Sequence, residues 1–220
     1  MLGFLLRRLG DVIPTFFGVT ILVFLMIHLI PSDPIQMRAG ERSISPERYA
    51  ELQKEYGFDR PLVVQYFDYL GGVLQGDLGE SFVTKRPVIE EFATLFPATI
   101  ELSIAGILFA IIVGLPLGVI AAINRGKWLD HLTMSLSLTG YSMPIFWWAL
   151  LLIMFFSTTL GWTPVSGRLS IMYYIEPTTG FMLIDTLLSD EKGAFISALR
   201  HLILPTIALG TIPMAVIARM

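Results

Sequence analysis

Residues 12–30, VIPTFFGVTILVFLMIHLI, form an apolar stretch without a charged side chain. As an α-helix, at about 1.5 Å per residue, this stretch reaches about 28 Å, close to the ~30 Å thickness of a bilayer's hydrocarbon core. Lipid offers no hydrogen-bond partners to peptide groups, so a spanning segment must be a helix or part of a closed barrel. The uninterrupted run favours the helix, and we interpret residues 12–30 as a membrane span.

Three further apolar stretches are long enough to cross a bilayer, at residues 99–123, 132–160 and 201–220. Hydrophobic residues make up 54% of the chain, and charged residues make up 15%, well below the ~25% usual in soluble domains. The sequence therefore predicts an all-α, polytopic transmembrane helix bundle with about four spans.

The composition and the motifs exclude several kinds of chemistry. The chain has no cysteine, which excludes disulfides, zinc–thiolate sites, iron–sulfur clusters and a cysteine nucleophile. Its formal net charge of −3 gives no electrostatic footprint for nucleic acid. The histidines show no metal-binding spacing, and Walker A, Gly-x-Gly-x-x-Gly and Gly-x-Ser-x-Gly motifs are absent. We expect no catalytic residue, cofactor, metal or nucleic-acid partner, and a chain that is not an enzyme.

Basic residues near the ends of the predicted spans indicate the orientation of the chain. If the four spans alternate in direction, the basic residues next to them lie on one side of the membrane. They are Arg7, Arg8, Arg125, Lys127 and Arg219. Short cytoplasmic loops carry an excess of Lys and Arg, so we expect this side, with the N-terminus, to be cytoplasmic. A cleaved signal peptide is the less favoured alternative, because the apolar run is longer than a signal core and lacks an Ala-x-Ala site.

The long connection after the first span contains helix signals of its own. Ser45 and Pro46 predict the start of a helix, and Gly57 is placed to end it. Apolar residues at helical spacing predict a second helix at 61–75, and a third short helix is predicted at 87–96, leading through a proline into the second span.

These signals divide the chain into three parts. We predict a cytoplasmic N-terminus and first span at residues 1–30, a small helical outer subdomain at 31–98, and a membrane core at 99–220. A second outer connection, residues 161–200, interrupts this core. The outer subdomain is too small for an independent core, so we expect it to pack on the spans or lie along the membrane surface.

The second and third predicted spans contain helix-breaking and small residues. Gly106, Gly114 and Gly118 suit close helix packing in lipid, and Pro116 is expected to bend the helix. The third span contains Gly140-Tyr141-Ser142-Met143-Pro144-Ile145-Phe146-Trp147-Trp148. A helix broken by proline can line a transport cavity, and the alternative is a kinked structural helix with an aromatic belt. On the first interpretation, the substrate path includes Tyr141, Ser142, Pro144 and Trp147.

The short loop between the second and third spans mixes basic, acidic and aromatic residues. A simple solvated turn would explain this loop. The alternative is a surface for a cytoplasmic partner, whose candidate residues are Arg125, Lys127, Trp128 and Asp130.

Several segments together resemble a known family. They are Arg7-Arg8-Leu9, Ile30-Pro31-Ser32-Asp33-Pro34, Gly76-Asp77-Leu78-Gly79-Glu80-Ser81, Asn124-Arg125-Gly126-Lys127-Trp128-Leu129-Asp130, the segment around Pro144, Thr163-Pro164-Val165-Ser166-Gly167-Arg168, and Leu204-Pro205-Thr206-Ile207-Ala208-Leu209-Gly210. From end to end the chain resembles permease subunits of the dipeptide/oligopeptide/nickel ABC importers, particularly the B-type permease of bacterial dipeptide importers.

The resemblance implies a bacterial inner-membrane subunit that forms part of a path for dipeptides or small oligopeptides. It implies pairing with a second, related permease subunit, two cytoplasmic ATPase subunits that hydrolyse ATP, and an outside substrate-binding protein. Alternatives are the same architecture carrying nickel chelate, glutathione or an opine, and a membrane sensor or assembly factor that does not transport.

The resemblance also implies a longer chain. Family members continue past the fourth span into a cytoplasmic coupling loop and two further spans, whereas this sequence stops at Ala218-Arg219-Met220. We therefore expect a C-terminally truncated permease that lacks the residues of the coupling loop.

Overall fold

The computed structural model describes residues 2–29, 35, 45–81 and 83–220. The helices are α1 Leu2–Leu29, α2 Pro46–Glu55, α3 Leu62–Leu74, α4 Val88–Ile123, α5 Trp128–Ser142, α6 Ile145–Leu152, α7 Met182–Leu188 and α8 Ala194–Arg219, and a π-helical segment, Ile153–Thr159, continues α6. Within the described residues, the β-structure is one isolated bridge between Glu80 and Pro87. The predicted all-helical fold is confirmed, while the motif at residues 30–34 lies outside the described part.

The chain separates into two compact units, Met1–Phe92 and Ala93–Met220. The first contains α1 to α3 and the start of α4, and the second contains the remaining helices. The domain boundaries expected after residues 30 and 98 stay predictions.

In the first unit, the predicted helix signals are confirmed. Ser45 caps α2, with its hydroxyl accepting a hydrogen bond from the Arg48 amide at 3.3 Å, and Pro46 takes the first helical position. Gly57 follows the helix with φ of +72°, a conformation that glycine adopts without strain. The helix predicted at residues 61–75 forms as α3, Leu62–Leu74. It packs on α1, where the Tyr66 hydroxyl lies 2.9 Å from the Thr20 hydroxyl.

Two helices of the second unit are long and apolar enough to cross a membrane, α4 and α8. A third candidate span is the pair formed by α5 with α6 and the π-helical segment, which is bent by 109°. The first predicted span forms α1 as far as Leu29, but its apolar helix, Gly10–Met26, is shorter than these candidates. The described helices therefore supply two or three candidate spans by length and composition.

The prediction of a separate short helix at residues 87–96 is wrong. α4 runs without a break from Val88 to Ile123 and includes Pro97 and Pro116. Each proline removes one backbone hydrogen bond, but its fixed φ is compatible with a helix, and long apolar helices tolerate this loss.

The second unit is built around α8. Leu152 of α6 and Leu204 and Ala208 of α8 form a buried cluster, against which Trp148 and Phe156 pack. The glycines of α4 face α8: a Cβ at Gly114 would lie 3.0 Å from the Met214 carbonyl oxygen, and one at Gly118 would lie 3.2 Å from that of Ala218. The predicted role of these glycines in helix packing is confirmed.

Candidate functional site

The third span breaks at Met143 and Pro144. Both residues are extended, with ψ of 136° at Met143 and φ of −59° and ψ of 130° at Pro144. The proline ring clashes with a helical conformation of the residue before it, which explains why α5 ends at Ser142. The sequence predicted this break, and the 109° bend makes it sharper than a kink.

The four candidate path residues lie on the outside of the second unit. Tyr141, Ser142, Pro144 and Trp147 are all exposed, and Trp147 keeps 45% of its surface. Tyr141 also lines a cavity of about 140 Å³, and its ring lies 5.6 Å from the guanidinium carbon of Arg219. The structure thus brings Tyr141 to the end of α8 and leaves the other three at the surface around the break.

A contact that the sequence did not predict joins the break to α8. The indole Nε1 of Trp148 donates to the Thr211 hydroxyl oxygen at 3.2 Å, and that hydroxyl donates to the Ile207 carbonyl at 2.6 Å. A Cβ at Gly140 would lie only 2.7 Å from the Thr211 methyl group. Trp148 lies one turn before the buried Leu152, on the side of α6 that packs. This helical spacing is the sequence signal that could have predicted the contact.

Two largely apolar cavities lie beside α8, of about 240 and 300 Å³. They share Gly167, His201 and Pro205 in their walls. His201 Nδ1 lies 2.7 Å from the Ser197 carbonyl oxygen, which can only accept, so this nitrogen carries a proton. The smaller cavity also contains Glu101 and Arg168 in its wall.

Glu101 of α4 anchors the second outer connection. Its side chain is 10% exposed, and its two oxygens accept from Arg168 Nη2 at 3.0 Å and from the Leu183 amide at 2.7 Å. Arg168 Nη2 also donates to the Gly180 carbonyl at 3.0 Å. These contacts join both halves of residues 161–193 to α4.

Asp185 stabilises the turn that precedes α7. This buried carboxylate accepts hydrogen bonds from the Thr179 amide at 2.8 Å, the Thr179 hydroxyl at 2.6 Å and the Gly180 amide at 3.0 Å. Burial acts to raise the pKa of Asp185, but these donors stabilise the ionised form and hold its pKa below the usual value. Sequence reasoning missed this arrangement.

The predicted partner loop is a tight turn between α4 and α5. Asp130 accepts a hydrogen bond from the Gly126 amide at 2.8 Å, and Gly126 has φ of +76°. Arg125, Lys127 and Trp128 are exposed, and Trp128 keeps 70% of its surface. Asp130 therefore stabilises the turn itself, while the other three candidates project from it.

Long apolar helices, small residues at their contacts and a span broken at proline define the chain as a helical membrane protein. Residues 1–103 match the family model described as binding-protein-dependent transport system membrane component, N-terminal, and residues 114–220 match the model of the inner membrane component of these systems. The chain belongs to this family of inner membrane components of binding-protein-dependent transport systems.

Curated relatives cover the whole chain. It is 63% identical over 220 residues to the di/tripeptide transport system permease protein DppB of Pseudomonas aeruginosa and 55% identical over 223 residues to the dipeptide transport system permease protein DppB of Escherichia coli, with 100% of the chain covered in both. It is 39% identical over 201 residues, 90% of the chain, to the glutathione transport system permease protein GsiC of Salmonella typhimurium. The chain spans 66%, 66% and 65% of these three relatives' lengths.

Proposed function

We propose that the chain is part of the permease subunit of an ATP-driven importer for dipeptides or small oligopeptides. The observation that carries the proposal is the 63% identity to a di/tripeptide permease over the full length of the chain. The subunit forms part of the translocation path in the bacterial inner membrane. ATP hydrolysis belongs to separate cytoplasmic subunits, so the chain is not itself an enzyme.

We assign the substrate path to the break between α5 and α6. Support comes from the position of Tyr141, Ser142, Pro144 and Trp147, which are exposed around a bend of 109°. Broken membrane helices expose backbone polar groups, which are tolerated where they line a cavity. A kinked structural helix remains the competing explanation of the same break.

The path assignment is tested in an intact permease that carries Pro144→Ala or Tyr141→Phe. We expect the uptake kinetics of a labelled dipeptide to change in both variants, because one straightens the break and the other removes a hydroxyl beside it. Leu150→Met is the matched control, since Leu150 is an exposed residue of α6 away from the break. Unchanged kinetics in both variants would contradict the assignment.

We further propose three kinds of protein partner. A second, related permease subunit completes the path, two ATPase subunits bind at the cytoplasmic face near Arg125, Lys127 and Trp128, and a substrate-binding protein meets the outer segments. The family's dependence on binding proteins supports the last of these. In this arrangement the N-terminus is cytoplasmic, in agreement with the positions of the basic residues.

A glutathione importer is the second candidate, favoured by the 39% identity to a glutathione permease. Two growth assays, each with and without the intact gene, distinguish the two candidates. One measures growth of an amino-acid auxotroph on a dipeptide, and the other measures growth on glutathione as sulfur source. Loss of growth on the dipeptide alone supports the main proposal, and loss on glutathione alone supports the second. Unaffected growth on both would favour a sensor or assembly factor without transport.

A further inference from the structure

The side of α3 that faces α1 is well packed. Besides the Tyr66–Thr20 contact, the Phe24 ring lies 5.5 Å from the Tyr66 ring and 6.1 Å from the Tyr69 ring, centroid to centroid. Leu70, one turn after Tyr66, is buried. α3 is therefore held against α1 by aromatic and hydrogen-bonded contacts within the first unit.

If α1 crosses the membrane, these contacts fix the depth of α3 within the bilayer. Thr20 lies nine residues before Leu29, the end of α1, which corresponds to about 13 Å along the helix axis. Half of the ~30 Å hydrocarbon core is about 15 Å. The contact with Thr20 thus places Tyr66 at the depth of the acyl chains. The leaflet is the one that contains the C-terminal end of α1.

Polar contacts gather toward the end of α1. His28 Nε2 lies 3.1 Å from Gln65 Oε1, and the Gln65 amide nitrogen donates to the Arg60 carbonyl at 2.7 Å. The one charged residue of α3, Asp68, pairs with Arg60 at 2.9 Å. This arrangement suits a helix whose polar groups reach the interface while its apolar residues lie deeper.

Another side of α3 is apolar and exposed. Val63 is 66% exposed, Phe67 is 62% exposed and Leu74 is 71% exposed, and their spacing places them on one side of the helix. α1 also exposes apolar residues, among them Ile21, Leu22, Leu25 and Met26. Exposed apolar surfaces of this kind mark contact with a membrane or a protein partner.

We propose that α3 is a membrane-embedded helix that does not cross the bilayer. The side formed by Val63, Phe67 and Leu74, the lipid-facing side of α3, is covered by phospholipid acyl chains, as is the exposed side of α1. At 13 residues, or about 20 Å, α3 is too short to span the ~30 Å core. On the proposed orientation of the subunit, the leaflet is the outer one, but the inference depends on neither the cargo nor the orientation.

The absence of cysteine allows a direct test by site-directed spin labelling. Four variants of the 220-residue chain, Phe67→Cys, Val63→Cys, Leu22→Cys and Lys54→Cys, are labelled and reconstituted in phosphatidylethanolamine–phosphatidylglycerol vesicles. Power saturation compares collisions with oxygen, which concentrates in lipid, and with a water-soluble nickel chelate. Leu22→Cys reports the exposed side of α1, and Lys54→Cys reports an exposed position on α2.

We expect oxygen to dominate at Phe67→Cys, Val63→Cys and Leu22→Cys, and the nickel chelate to dominate at Lys54→Cys. Nickel dominance at both α3 positions, with oxygen dominance kept at Leu22→Cys, would overturn the inference. Nickel dominance at Leu22→Cys as well would overturn its premise, that α1 lies in lipid. None of these outcomes bears on dipeptide transport, so the proposed function is tested separately.

A protein partner on the same side of α3 is the remaining alternative. Benzophenone maleimide attached to Phe67→Cys in intact cells and activated by light reports the neighbour directly. A product with the added mass of a phospholipid supports the inference. A product with the added mass of a second polypeptide would overturn it.

Discussion

Asp185 is a buried carboxylate that stabilises a turn through three hydrogen bonds. We expect Asp185→Asn to lower the free energy of unfolding by about 1–3 kcal/mol at neutral pH. The side-chain NH₂ group of Asn is a hydrogen-bond donor, so it cannot accept the backbone hydrogen bond that the carboxylate oxygen accepts. The folded-state pKa is below the unfolded value, so this stabilisation is present above the unfolded pKa and is lost as pH falls through the folded pKa. Thermal unfolding of both proteins in detergent should converge at low pH.

The control for this prediction is Asp190→Asn, at an exposed position after α7. It should leave the unfolding temperature unchanged at neutral pH. A difference between wild type and Asp185→Asn that persisted unchanged below the folded pKa would contradict the assigned role of the carboxylate.

Glu101 is the residue that anchors the second outer connection to α4. Glu101→Gln keeps an acceptor for the Leu183 amide but removes the charge that pairs with Arg168. Because Arg168 is 38% exposed and its pairing is screened by water, we expect a loss of only about 1–2 kcal/mol. The local effect should be larger, and residues 169–180 should be cleaved faster in limited proteolysis.

Glu176→Gln, an exposed acid in the same outer connection, is the matched control and should leave the cleavage rate unchanged. Equal cleavage rates for wild type and Glu101→Gln would show that the ion pair does not hold the connection. The Glu101–Arg168 pair could not be predicted from the sequence, because it joins residues through the fold. Glu101 and Arg168 are 67 positions apart, and no local pattern relates them.

At the scale of elements, the packing of α5 on α8 depends on one close contact. A Cβ at Gly140 would lie 2.7 Å from the Thr211 methyl group, so Gly140→Ala forces one helix to shift. We expect a loss of about 1–3 kcal/mol in the free energy of unfolding, typical of overpacking. Adding Thr211→Ser removes the methyl group, keeps the hydroxyl for Trp148, and should restore stability.

Gly18→Ala is the control, because nothing lies within 4 Å of a Cβ at that position of α1. If Thr211→Ser failed to rescue Gly140→Ala, the cost would arise elsewhere and not from this contact. Thermal unfolding of the wild type and these three variants in the same detergent supplies the comparison.

The elements also show where sequence patterns succeed. Ser45, Gly57 and Pro144 act on neighbouring residues, so the start of α2, its end and the break after α5 were predictable. Pro97 was wrongly predicted to separate a short helix from the second span. The preference of proline against helix is overridden inside a long apolar helix. Trp148 contacts α8 and Trp147 does not, because of how α6 is rotated about its axis after the break. The spacing of apolar residues in the sequence predicts this rotation only weakly.

At the scale of the whole molecule, hydrophobicity predicted the class and the positions of the long apolar helices. The apolar stretches were visible because bilayer thickness requires many consecutive apolar residues. The packing of α3 on α1 was predicted only in outline, since Tyr66, Tyr69 and Gln65 carry no sign of which span they contact. The candidate path residues could be named from the break, but their use in transport stays a prediction.

The turn between α4 and α5 yields the last prediction, which concerns topology and partner binding together. Arg125 and Lys127 project from a turn whose backbone is held by Asp130, so charge reversal at both positions, Arg125→Glu with Lys127→Glu, should leave the turn folded. We expect normal membrane insertion, because on the proposed orientation Arg7 and Arg8 still mark the cytoplasmic end of α1. In an intact permease we expect dipeptide uptake driven by ATP to be lost.

Insertion is checked by labelling Lys54→Cys in intact cells with a membrane-impermeant maleimide, and coupling is checked by dipeptide-stimulated ATP hydrolysis in the assembled importer. Lys192→Glu, an exposed basic residue of the second outer connection, is the matched charge reversal and should preserve both. Lost labelling in the double variant would identify Arg125 and Lys127 as topology anchors, and full ATPase coupling would exclude them from the partner surface. Because each outcome changes a different measurement, the two roles of a basic loop, retention in the cytoplasm and contact with an ATPase, can be separated in one protein.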